Sequence, residues 1–78
     1  MSDWEEQLKA AEAGADAKQA TEEAAEERFR AVHATAEAQG KAQEALQSDE
    51  FHSWMATRRE TDDAWGKWAM LMDAKPGA

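Results

Sequence analysis

Few side chains in this sequence could do chemistry. His33 and His52 are the only histidines, and cysteine is absent. His33 and Glu37 stand four residues apart, so on a helix they would share a face and could offer two metal ligands. No third ligand and no HExxH pattern accompany them. The serines Ser2, Ser48 and Ser53 lack the His and Asp company that activates a hydroxyl nucleophile. No glycine-rich phosphate loop is present, and carboxylates spread along a helix surface without a cleft are solvated charges. The sequence therefore predicts a non-enzyme with no catalytic residues, no cofactor and no metal.

The remaining features concern binding. The chain has 78 residues and a formal net charge of −8. Nucleic-acid contact needs Lys and Arg at phosphates. Arg58 and Arg59 stand beside Glu60, Asp62 and Asp63 and make no basic patch, so direct nucleic-acid binding is not expected. The acidic block Glu22, Glu23, Glu26 and Glu27 has a plain reading as a solubilising face. A sharper one is mimicry of nucleic acid, in which the rod would inhibit a protein with a basic groove, with a phage or mobile element as its source. Arg28 and Arg30 interrupt that block.

Trp54, Trp65 and Trp68 fall with Phe51, Met55 and Met72 on one helical face. Large residues opposite alanines fill a core well, and Trp and Met are also enriched where proteins meet. Arg58 and Asp62 sit on the same face, four residues apart, which suggests an ion pair with the Arg stem over a ring. The run from Trp68 to Met72 is apolar all round, so Met70 and Leu71 are expected to point to a second neighbour.

These residues must be positioned by helices. Ser2 and Glu5 form a capping-box pattern. Ala10, Ala17, Ala24, Ala31, Ala38 and Ala45 then recur every seven residues, with Ala13, Ala20 and Ala34 beside them. A second row carries the larger groups Trp4, Leu8, Ala11, Ala15, Ala25, Phe29, Val32, Ala36 and Leu46. Alanine has the best helix propensity, and Glu5–Lys9, Glu26–Arg30 and Glu37–Lys41 are acid-first pairs at i, i+4. The two stripes hold phase across Gly14 and Gly40, which predicts one long helix over about 3–46. Of the two glycines, Gly14 is the expected break if there is one, because Thr21, Glu22 and Glu23 could restart a helix.

Ser48 is a suitable N-cap, with Asp49 and Glu50 in a first turn where the helix dipole favours acids. A shorter helix over about 49–74 follows, ended by Pro76 and Gly77. Its apolar face is out of phase with the first helix, so a turn is expected near Gln47–Asp49. The fold class is all-α: a helical hairpin of unequal arms, in one domain spanning 1–78, associating into a coiled-coil-like bundle. Arms of about 66 Å and about 39 Å, at 1.5 Å per residue, would leave Trp4 and Leu8 uncovered within the chain. A protein partner is therefore expected, with a homodimer first among the choices. Partner-binding residues on this reading are Trp4, Leu8, Trp54, Arg58, Trp65, Trp68, Met70 and Leu71.

Leucine, isoleucine, valine and phenylalanine are scarce beside the high charge, a composition shared with chains that fold only on a partner. The acidic start lacks the basic region and apolar stretch of a signal peptide, and no stretch approaches a membrane span. A cytoplasmic location and no membrane partner are the expectations.

Overall fold

The computed structural model describes residues 3–76, so the Ser2 half of the capping box lies outside it. It is an all-α hairpin. Helix α1 runs Asp3–Ala38, a short helix α2 runs Ala42–Ala45, and α3 runs Asp49–Asp73, packed along α1. The result is a rod with Cα extents of 59 × 15 × 15 Å.

The first helix stops eight residues short of the expected end, at Gly40 and not at Gly14. Gly40 has φ +72, a left-handed conformation that L side chains rarely adopt. Its N–H donates to the Glu37 carbonyl at 3.0 Å, and the Lys41 N–H donates to the Ala36 carbonyl at 2.7 Å. That is a Schellman closure, which satisfies carbonyls left open at a helix end. Lys41 thus falls beyond α1, and Glu37 meets His33 Nδ1 at 3.7 Å, a contact that becomes an ion pair when the imidazole is protonated. Gly14 stays helical with φ negative, and a Cβ there would meet nothing within 4 Å. The two glycines should therefore respond oppositely to alanine. Gly40→Ala costs about 1–2 kcal/mol through the left-handed penalty. Gly14→Ala gains about 0.5–1 kcal/mol through helix propensity. Urea unfolding followed by circular dichroism measures both, and equal effects at the two sites would contradict this account.

The second break comes where the phase change places it. Ser48, with φ −75 and ψ 158, caps α3: its Oγ accepts from the Phe51 N–H at 3.1 Å and donates to the Ala45 carbonyl at 2.6 Å. Asp49 and Glu50 occupy the first turn, where the dipole stabilises them.

Packing selects one of the two stripes on α1. The row containing Trp4, Leu8, Ala11, Ala15, Ala25, Phe29, Val32 and Ala36 is buried or half-buried, at the 3.5-residue spacing of a coiled-coil seam, whereas Leu46, expected at the end of that row, lies beyond α1 as the C-cap of α2 and is 50% exposed. Ala10, Ala17, Ala24, Ala31 and Ala38 are exposed; Ala45 alone of that series is buried, in α2. The alanine stripe is thus not the surface that approaches the second arm. Burial of apolar area favours the row with the larger side chains, since a methyl offers little area to remove from water.

Candidate protein-interaction surface

The end of the rod nearer Gly40 is aromatic. Phe29 stacks on Trp54 with ring centroids 5.1 Å apart and an interplanar angle of 22°, and it meets Phe51 at 5.3 Å and His33 at 5.8 Å. Stacked and tilted pairs of this kind add about 0.5–1.5 kcal/mol each beyond their area. Trp54 Nε1 is buried with no hydrogen-bond partner among the described residues, an unfavourable arrangement for a donor. Arg58 lies over the Trp54 ring, with Cζ 5.7 Å from the centroid. The expected Arg58–Asp62 ion pair does not form among the described residues. The guanidinium takes the ring face instead, where its stem also covers apolar surface.

The middle of α3 is built from residues absent from any apolar pattern. Thr61 is its buried residue, with Thr57 half-buried one turn before it. The Thr61 hydroxyl donates to the Thr57 carbonyl at 3.0 Å and the Thr57 hydroxyl to the Trp54 carbonyl at 2.7 Å, so neither carries an unmet donor into the seam. Lys18 reaches Glu60 across the hairpin at 3.6 Å; both ends are about half exposed, so the pair adds little.

At the end of the rod away from Gly40, the expectation that Trp4 lacks an intrachain partner fails, and Leu8 is not left open. Both are half-buried. The Trp4 Nε1–H donates to the Leu71 carbonyl at 2.5 Å, and Lys75 Nζ lies 5.9 Å from the Trp4 ring centroid. The reason is the earlier end of α1. An arm of about 54 Å, not about 66 Å, brings the last turn of α3 within reach of Trp4. The final carbonyls of α3 are then shared out: Met70 to the Ala74 N–H, Met72 to the Lys75 N–H, and Leu71 to the indole. Leu71 accordingly turns half-buried toward Gln7, Ala10 and Ala11, whereas Met70 stands 73% exposed. Trp65 is half-buried, edge-on to Trp68 at 5.6 Å.

The acidic block is not one surface. Glu22 is half-buried on the seam side, Glu26 is bonded to Arg30 at 2.6 Å, and only Glu23 and Glu27 are exposed. The described residues contain no group of three or more acids or histidines placed to hold a metal ion, and no described helix is long and apolar enough to cross a membrane.

Together these features define a class: an all-α helical hairpin with a thin seam and incompletely covered aromatic and Met side chains. Comparison with known proteins finds no matching family, no matching characterised sequence and no matching solved structure.

Proposed function

We propose that this chain is a non-catalytic protein-interaction module that covers its open helix faces with other protein surfaces, copies of itself first. One observation carries the reading. Among the described residues no large side chain is fully buried, and Leu46, Met70 and Met72 are 50%, 73% and 42% exposed. The accessible surface of 5828 Å² exceeds by more than 1,000 Å² the roughly 4,700 Å² expected for a compact chain of this mass. A standard interface takes about 800 Å² from each partner, so there is surface to spare for one. Regulator, adaptor and assembly component are all roles such a module fills, and the absence of cysteine suits a cytoplasmic setting.

The nucleic-acid-mimic alternative draws less support, because Glu22 is half-buried and the Glu26 charge is paired with Arg30.

The test is mass action. If association stabilises the fold, the melting temperature rises with protein concentration. We expect an increase of several degrees between about 2 and 200 µM, read by circular dichroism, with sedimentation showing more than monomer at the upper end. A melting temperature independent of concentration, with monomer throughout, sinks the self-association reading.

A further inference from the structure

The back of α3 carries a second, wholly exposed row. His52, Ala56, Arg59, Asp63, Gly66 and Met70 follow one another at alternating spacings of four and three residues, and every one is exposed. That is the spacing of a coiled-coil seam, on the side of the helix opposite Trp54, Thr61 and Trp68. We propose that this row is a two-fold interface through which two copies of the chain pair α3 against α3, antiparallel. The proposal rests on the interaction-module reading above and assigns it a face, a register and a partner.

The register follows from the residues. An antiparallel pair centred on residue 61, the midpoint of α3 (Asp49–Asp73), overlaps the whole helix. In that register Arg59 faces the second copy's Asp63, and Asp63 faces its Arg59, so two opposite-charge pairs form by symmetry. Neither residue has an ion-pair partner within 4.0 Å among the described residues of one chain, so both charges are available. One layer further out, Gly66 meets Ala56, and the two helices can approach closely. Beyond that, the exposed Met70 lies against His52. Size and charge thus match at every layer in one register. A shift by one heptad puts Asp63 on Gly66 and Arg59 on Met70, and both charge pairs are lost.

Gly66 fits the close approach this register requires. Glycine inside a helix is unfavourable relative to alanine. A Cβ at Gly66 would meet nothing within 4 Å, so nothing in the hairpin calls for glycine there. A shallow groove of about 830 Å³ runs beside it, bounded by Asp62, Asp63, Lys67, Met70, Leu71 and Ala74. A neighbouring helix backbone is what a notch of that shape admits. The area sets the strength. A face about 37 Å long and about 12 Å wide from each copy buries roughly 900 Å² in all, at the small end of specific interfaces, so the dimer is weak and reversible.

Two sets of variants test the face, with sedimentation equilibrium as the readout. Arg59→Asp and Asp63→Arg each set like charges opposite one another twice and are expected to weaken the dimer about tenfold or more. The double variant, with both substitutions in one chain, restores the pairs and is expected to return to within about threefold of the parent. Gly66→Leu fills the notch; it is expected to raise or hold the melting temperature at low concentration while weakening dimerisation at least tenfold. A merely structural role for Gly66 would move both together. The chain has no cysteine of its own, so single-cysteine variants are unambiguous. A short bismaleimide is expected to link Asp62→Cys, near the two-fold axis, and not Ala24→Cys, at the centre of the alanine stripe on α1. If the parent dimerises but is linked through Ala24→Cys and is indifferent to the charge swaps, this face is wrong while the interaction-module reading stands. If the parent is monomeric at all concentrations, this interface and the self-association part of the reading above both fall.

Discussion

Phe29→Ala is expected to leave the hairpin without a cooperative melt at 25 °C. Among the described residues Phe29 is the single large apolar side chain buried past nine-tenths, at 8% exposure, and the other buried apolar positions are Ala15, Ala25 and Ala45. Truncating a buried Phe costs about 3–5 kcal/mol, transfer and cavity together. A chain of 78 residues has about 4–12 kcal/mol to lose, and a core of alanines around one ring puts this protein low in that range. The substitution also strips Trp54 and Phe51 of the ring they pack on. Urea titration followed at 222 nm measures the effect. A cooperative transition with its midpoint close to that of the parent protein would show that the core lies elsewhere.

Trp4→Ala carries the next largest effect, at the opposite end. It removes the hydrogen bond to the Leu71 carbonyl, the ring packed at the end of the seam, and the ring face under Lys75. For a half-buried tryptophan the sum is about 2–3 kcal/mol. Trp4→Phe keeps an apolar ring and loses the donor, at about 1 kcal/mol. Native-state hydrogen exchange separates this from the Phe29 effect by location. Amides in the first turns of α1 and the last turns of α3 should exchange faster, and those around Phe29 and Trp54 should keep their protection. Uniform loss of protection along the rod would contradict a local role for Trp4.

Much of the architecture was legible in the residues, and the failures have physical causes. The hairpin, the Ser48 cap and the row carrying Trp4, Leu8, Phe29 and Val32 all follow from helical periodicity and capping chemistry. The end of α1 did not, because the seven-residue alanine repeat runs unbroken through Ala38 to Ala45. Periodicity reports which face a residue would occupy; it carries no information on whether Gly40 takes a left-handed φ. That one misplacement lengthened the first arm and so hid the Trp4–Leu71 contact. The choice between the two stripes on α1 was also beyond spacing, since both repeat at 3.5 residues, and side-chain volume decides it. Thr57 and Thr61 escaped because a threonine that bonds back to its own helix behaves as a core residue while reading as polar. The outer row on α3 had no apolar signature either. Its signal was spacing together with the order small, basic, acidic, small.

The Trp4–Leu71 hydrogen bond joins residues 67 apart in sequence, whereas the Phe29 and Phe51 rings meet just beyond the Gly40 corner. Between them lies the Lys18–Glu60 pair. Contacts along this rod are thus ordered by the length of chain each must close, and each shortens the loop left for the next. Loop-closure entropy accordingly favours closure from the corner outward, with the indole contact closing the longest loop of the three.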